Sequence, residues 1–247
     1  MSADGPADSA GVPWAGRTLS PHGFESDDGT APRELVTALA DGDTQAILSA
    51  LAGARVLVPV VAVLGESKPV SAEPGALHAD KSADMALVTL KSPDGRAALP
   101  VFTSVQTMAA WDAAARPVPV ESRRAALSAV DEGCSLLVID PAGPATAVLP
   151  RPALWALAQG HDWTPATRDP QVHAAVRDAV RVLEPVVDVS CEPGERAELR
   201  IVLAVRPGLD REGLDALTSA VSQRLAASEV VAERVDSLEL KVRPASV

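Results

Sequence analysis

Residues 84–116 run Asp84-Met-Ala-Leu-Val-Thr-Leu-Lys-Ser-Pro-Asp-Gly-Arg-Ala-Ala-Leu-Pro-Val-Phe-Thr-Ser-Val-Gln-Thr-Met-Ala-Ala-Trp-Asp-Ala-Ala-Ala-Arg116. They read as a strand, a tight turn, a second strand and a capped helix. Met85 to Leu90 is an apolar run of strand length with β-branched members. Ser92-Pro93-Asp94-Gly95 has turn chemistry: proline presets φ, aspartate bonds its own backbone and glycine accepts positive φ. Arg96 to Phe102 resumes as a strand, and Pro100, which lacks an N–H, places it at a sheet edge or a bulge. Thr103, with Gln106 three residues on, has capping-box spacing. Val105, Met108, Ala109 and Asp112 then repeat at helical spacing, and Trp111 beside Met108 is expected to fold back onto the hairpin.

Upstream, Leu35, Val36, Leu39 and Ala40 describe a helix opened by Pro32, and Asp41-Gly42-Asp43 breaks it. A second helix spans Thr44 to Ala52 and ends at Gly53, in the usual C-terminal position. Arg55 to Leu64 is a strand nearly apolar on both faces, as in a sheet covered on both sides, with Pro59 marking an edge or bulge. Residues 65–83 are polar, broken by Pro69 and Pro74, and read as a long loop. Downstream come an extended connection at Arg116–Val120, a helix from Glu121 to Glu132 and a buried strand from Ser135 to Ile139. The turn Asp140-Pro141-Ala142-Gly143, a short returning strand to Leu149 and a helix from Pro150 to Gly160 complete this region.

A connection bearing Pro and His at 161–170 precedes a fresh pattern. Val172 to Leu183 is an amphipathic helix; Val186–Cys191 and Ala197–Val205 flank a turn at Glu192–Glu195. Asp210 caps a helix carrying Leu214, Leu217, Val221 and Leu225, and Leu238, Leu240 and Val242 alternate with charges in a half-buried strand. The expected organisation is a disordered tail at 1–32, an α/β domain at 33–160 with a mixed sheet flanked by helices, a linker at 161–170, and a smaller α-β-β-α-β domain at 171–247. The class is α+β. Within the tail, Trp14, Leu19 and Phe24 are too large and apolar for a fully solvated segment and are expected to dock on the body or to form a partner motif.

Of the 247 residues 47% are hydrophobic, enough for a sizeable core, but aromatics are only 2% and tyrosine is absent. The core must therefore be built from Ala, Val and Leu. A net charge of -11 disfavours nucleic acid and anionic membrane surfaces. Cys134 and Cys191 form no CxxC pair and read as buried free thiols, with one disulfide between the two regions as the alternative. The first twenty residues lack a basic start and an apolar stretch, and no run approaches the roughly 18 apolar residues of a spanning helix. A soluble cytoplasmic protein is expected.

No catalytic constellation emerges. Ser104 stands at a strand-to-helix turn, but Phe-Thr-Ser-Val-Gln is not a Gly-x-Ser-x-Gly elbow, and helix capping accounts for the hydroxyls of Thr103 and Ser104. His22, His78, His161 and His173 are scattered, with no ligand spacing for a metal. Asp27-Asp28 and Asp131-Glu132 suit solvated positions, and no phosphate-binding glycine pattern is present. The expectation is therefore no enzyme, no cofactor and no metal. What remains is surface. Phe102, Met108 and Trp111 cluster at one turn, either as core or as an apolar groove rimmed by Thr103, Ser104 and Asp140 and flanked by the 65–83 loop. Trp155 and Trp163 are expected to pack the two domains together, and the groove between domains is the other place for a partner.

Four strings carry a family resemblance: Val56-Leu57-Val58-Pro59, Leu99-Pro100-Val101-Phe102-Thr103-Ser104, Trp111 on the following helix, and Leu137-Val138-Ile139-Asp140-Pro141-Ala142-Gly143. Together they resemble the SseB family, named for enhanced serine sensitivity, and the region after 165 is similar to the C-terminal part of its longer members. The resemblance covers roughly 35–247; its members usually carry Asn where this chain has Asp140. It implies an α/β domain with no catalytic residues to assign. The expected function is a non-catalytic cytoplasmic interaction or regulatory protein, with an unidentified protein partner or self-association and neither nucleic acid nor membrane. A module binding an amino-acid-type metabolite is the alternative. The binding residues expected are Phe102, Thr103, Ser104, Trp111 and Asp140.

Overall fold

The computed structural model describes residues 24, 26–63 and 84–245. In chain order they form α1 (Arg33–Asp41), α2 (Thr44–Ala52), β1 (Arg55–Val63), β2 (Asp84–Leu87), β3 (Leu90–Lys91) and β4 (Ala97–Val101). These are followed by α3 (Val105–Trp111), β5 (Arg116–Glu121), α4 (Ser122–Asp131), β6 (Leu136–Ile139), β7 (Ala147–Leu149) and α5 (Arg151–Gln159). The remaining elements are α6 (Pro170–Val180), β8 (Val186–Pro193), β9 (Leu199–Val205), α7 (Arg211–Ala226), α8 (Glu229–Arg234) and β10 (Leu238–Pro244). The fold is α+β. Residues 1–23 and the 65–83 loop lie outside the described residues.

Two prolines decide how the first sheets are arranged. Leu57 of β1 and Phe102 exchange both backbone hydrogen bonds, each at 2.8 Å. In that antiparallel register the next bonding pair would set Pro59 against Pro100, and neither has an N–H to give. Pairing stops after one bridge. β1 continues instead with β2 and forms the sheet β2-β1-β5, while β4 pairs with β3 and forms the sheet β3-β4-β6-β7. Neither proline marks an outer edge or a bulge, as the sequence suggested; both sit in inner strands, at the seam where the sheets part. The same seam divides the run Met85–Leu90, read as one strand, into β2 and β3.

Arg116–Val120 also departs from expectation, being a paired strand rather than a connection. Pro117 and Pro119 stand opposite Pro59 and Leu57. Leu57 turns its polar groups toward Phe102, so these are the non-bonded positions of the β1–β5 ladder. The proline nitrogens point to the free edge, where no N–H is required. Gly53 closes α2 at φ -112, whereas Gly42 and Gly160, both at φ 71, and Gly133 at φ 72 end their helices in the left-handed conformation.

One face of the four-stranded sheet is covered. Leu99, Val101, Leu137, Ile139 and Leu149 meet Leu48 and Leu51 of α2, Ala125 and Ala129 of α4, and Leu154 and Leu157 of α5. Each buried leucine there stabilises the fold by about 1.5–3 kcal/mol. The alanines of α4 let that helix lie close to the strands. On the opposite side, at the Phe102 end, α3 packs Met108 against Phe102 and Leu57.

A separate cluster fills the second unit. β9 lies between antiparallel β8 and parallel β10. Its Leu199, Ile201, Leu203 and Val205 pack on Val172 and Val176 of α6, Leu217 and Val221 of α7, and Val231 of α8. Helix α8 adds an element between α7 and β10 that the pattern α-β-β-α-β lacked. It is six residues long, too short to show periodicity, and is capped by Ser228.

Candidate functional site

The five residues expected to form a site converge on the turn after β6. Asp140 ends that strand at φ 49, and Ala142 follows at φ 65. The turn is closed by Gly143 N–H donating to the Asp140 carbonyl at 2.9 Å and by Thr146 Oγ1 donating to the same oxygen at 2.8 Å. A Cβ at Gly143 would stand 3.0 Å from that carbonyl, which is why the position takes glycine. The carboxylate reaches across to the start of α3. Oδ1 accepts Thr103 N–H at 2.8 Å and Thr107 Oγ1 at 2.6 Å, and Oδ2 accepts Thr103 Oγ1 at 2.6 Å.

These bonds move the helix cap by one residue. Because Asp140 holds the Thr103 hydroxyl, Ser104 becomes the N-cap and Thr107 its partner; the Thr103–Gln106 box does not form. Ser104 Oγ accepts Thr107 N–H at 3.1 Å, and Thr107 Oγ1 accepts Ser104 N–H at 3.3 Å. Arg55 braces the other side. Its guanidinium donates to the carbonyl of Thr103, to that of Thr30 at 2.7 Å and to both oxygens of Asp27. Residues 26–32, expected in the tail, are thereby tied to the body, with Gly29 O accepting Val105 N–H at 3.0 Å.

The result is a closed structure. Phe102 is 0%, Thr103 2%, Asp140 3% and Ser104 5% exposed. Phe102 is core and can line no groove; the hydroxyls and carboxylate satisfy one another and have no partner left for a ligand. Trp111 is half-buried, its ring 5.3 Å from that of Phe102 in a tilted contact. Neutral donors alone compensate the Asp140 charge, and a buried network of this kind holds only when complete. Among the described residues no group of three His, Cys, Asp or Glu is placed to hold a metal ion.

A different region is open. A cavity of about 440 Å³ lies between the two units, walled by Arg151 and Trp155 of α5, His161, Asp162 and Trp163 of the connection, and Glu233 and Arg234 of α8. A neighbouring cavity of about 500 Å³ shares His161, Asp162 and Trp163 and extends to α2. The expectation that both tryptophans pack the units together holds in neither case. Trp163 packs on the first core with its Nε1 buried and unpartnered among the described residues, and Trp155 is 45% exposed.

The walls are held by charges far apart in sequence. Asp236 accepts Arg96 Nη1 at 2.9 Å on both oxygens and the backbone N–H of Arg151 at 3.2 Å. It thus caps α5 from the other unit, where α5's own N-cap, Pro150, has no side chain to do so. Arg151 returns the contact by donating to the carbonyls of Ala232 at 2.7 Å and Val235 at 3.2 Å, at the end of α8. Glu198 accepts the N–H of Ala166 at 3.2 Å and of Asp236 at 2.8 Å. Burial pushes the Glu198 carboxyl above its ordinary range, and those two N–H groups pull it partly back. Arg234 Nη1 meets Asp169, the cap of α6, at 2.9 Å. Sequence reasoning had no access to Asp236 or Glu198, since neither falls in a motif and their partners lie tens of residues away.

Among the described residues no helix is long and apolar enough to cross a membrane. Neither the curated proteins nor the solved structures compared with the chain yielded a match. The family model described as SseB protein N-terminal domain matches residues 33–156, ending within α5. That match spans half of the 247-residue chain, and the chain belongs to the SseB family.

Proposed function

We propose that this SseB-family protein is a non-catalytic cytoplasmic interaction or regulatory protein, and that it takes a partner protein in the cleft between its units. In this reading the second unit is the C-terminal domain of the longer family members. One observation carries the proposal: Trp155 stands 45% exposed on the wall of the cleft, among charges of both signs. An exposed tryptophan ringed by arginine is the composition of an interface hot spot, because it offers large apolar area at small entropic cost. Arg151 and Arg234 are already held by carbonyls and by Asp169, so little side-chain freedom would be lost on binding. The free thiols Cys134 and Cys191 are consistent with a reducing compartment.

The test compares wild type, Trp155→Ala and Trp111→Ala as baits in affinity capture from the native host, followed by titration of the captured protein. Affinity should fall by about tenfold or more for Trp155→Ala, as expected of a hot spot, and hold for Trp111→Ala. Equal affinity for wild type and Trp155→Ala overturns the reading. The alternative, a binding module for an amino-acid-type metabolite, draws on a different observation. The cavity volume is that of a small-molecule site, and its lining includes Arg151, Arg234, Glu233 and Asp162, charges of both signs as a zwitterion would require. An amino acid that binds the native state must raise the melting temperature, so a flat thermal-shift panel removes this alternative.

A further inference from the structure

β10 is an outer strand of its sheet, and among the described residues only β9 pairs with it. The parallel ladder shows which of its backbone groups that pairing uses. Leu199 N–H donates to the Ser237 carbonyl at 3.1 Å, and Ala245 N–H to the Val205 carbonyl at 2.7 Å. Backbone groups alternate in direction along a strand, so Ser237, Glu239, Lys241, Arg243 and Ala245 turn theirs to β9. Leu238, Leu240 and Val242 turn theirs outward, where no described strand meets them. Pro244, which has no N–H, ends that outward series. A row of this kind is a template for another strand. β8, the opposite edge, carries Asp188 and Glu192 and no base between Val186 and Pro193, so two copies of it would repel. β10 carries both signs, with Glu239 two residues before Lys241.

We propose that two copies of the chain join antiparallel along β10, with Leu240 opposite Leu240 of the second copy on a two-fold axis. The bonding pairs of such a ladder must join outward-turned residues. Setting Leu240 against itself also sets Leu238 against Val242 on both sides of the axis, so every outward N–H and carbonyl of the three residues is paired. The positions between them bring Glu239 opposite Lys241 of the second copy, again on both sides. Sliding the register one way sets Lys241 against Lys241 and spends Leu238 on Pro244; sliding it the other way sets Glu239 against Glu239. Like charges directly opposite destabilise a strand pair. The strand is thus complementary to itself in this one register. Glu239 is ready for the contact, because Arg200 Nε holds its carboxylate at 2.7 Å, and Lys241 is exposed. Leu238, Leu240 and Val242 are half-buried against the second core, so joining would extend that core across the axis. The cleft beside Trp155 plays no part in this contact.

The test is sedimentation equilibrium of the full-length chain across the micromolar range, which should show a reversible dimer. Lys241→Glu, an exposed substitution, replaces both opposite-charge pairs by like-charge pairs and should raise the dimer Kd by about tenfold or more. The register is read by oxidation of Leu240→Cys and of Lys241→Cys, each with Cys191→Ser, since Cys134 is buried. Bonded partners on the axis stand about 5.5 Å apart between Cα atoms, within disulfide reach, so Leu240→Cys should give a covalent dimer. Lys241→Cys faces Glu239 of the second copy and should not. A wild-type chain that stays monomeric overturns the proposal, as does a dimer whose Kd Lys241→Glu leaves unchanged. A covalent dimer from Lys241→Cys and none from Leu240→Cys overturns it as well, because that pattern belongs to the register with like charges opposed.

Discussion

The Asp140 turn, whose carboxylate is buried, and the junction between the two units, whose carboxylates are partly buried, answer those charges in different ways. Asp140 takes three neutral donors from one short stretch, Thr103 and Thr107. Asp236 and Glu198 take theirs from Arg96, Arg151 and Ala166, which belong to other elements and in part to the other unit. A carboxylate answered locally by neutral groups fixes a shape and closes its surface. Carboxylates answered across units fix how those units stand, and beside them a cleft stays open. The difference explains why the residues that looked most functional are the least available, while the available surface rests on charges with no local pattern.

The largest effect that would break this comparison lies at the turn. Asp140→Ala should cost about 3–4 kcal/mol in urea denaturation, because three buried donors lose their acceptor. Asp140→Asn, the residue expected from the family resemblance, keeps one acceptor oxygen and tolerates positive φ, and should cost only about 1 kcal/mol. A cost for Ala as small as that for Asn would mean the turn is not locked. Next comes Asp236→Ala, which removes the cap on α5 and the partner of Arg96. A loss of about 2 kcal/mol is expected, together with faster amide exchange at the start of α5. Unchanged exchange there would remove the junction's role in setting the cleft.

The two regions also differ in the sign of their pH response. The Arg55 hydrogen bond holds Asp27 below the ordinary carboxylate range. Its contribution is present above pH of about 4 and is lost as pH falls through the lowered value. Glu198 is raised by burial, so its contribution is greatest at low pH and is lost as pH rises through the raised value. Acidification from neutral pH should therefore tighten the junction before it loosens the Asp27 clasp. Amide exchange of Ala166 and Gly29 followed from pH 7 downward checks the order, and the two changing together with the same sign would refute it. The smallest effect is on Trp155→Ala, whose stability cost should stay below about 1 kcal/mol because the side chain is already half exposed.

Much of the fold was legible because it is local. The apolar runs of β1 and β6, the helical spacing of α1, α2, α4 and α5, and the Asp210 cap all follow from neighbours within a few residues. What failed has one cause. Pro59 and Pro100 each read as an edge signal, but their effect comes from facing each other across a register that no local window contains. Thr103 reads as the cap until Asp140, 37 residues away, takes its hydroxyl and leaves the cap to Ser104. β5 was hidden because prolines at alternate positions are permitted on a free edge, and only pairing shows which side is free.

The sequence by itself determined the class, the element order of the first unit, the absence of any recognisable catalytic pattern and the family resemblance, because periodicity, turn chemistry and composition act over short distances. The tertiary structure decided that the turn carrying the family resemblance is packed shut and that Trp155 stands in a cleft. It also decided that one sheet became two at a pair of prolines. Those outcomes depend on which distant donors meet which acceptors, and a buried polar group is settled only by the partner the fold brings to it.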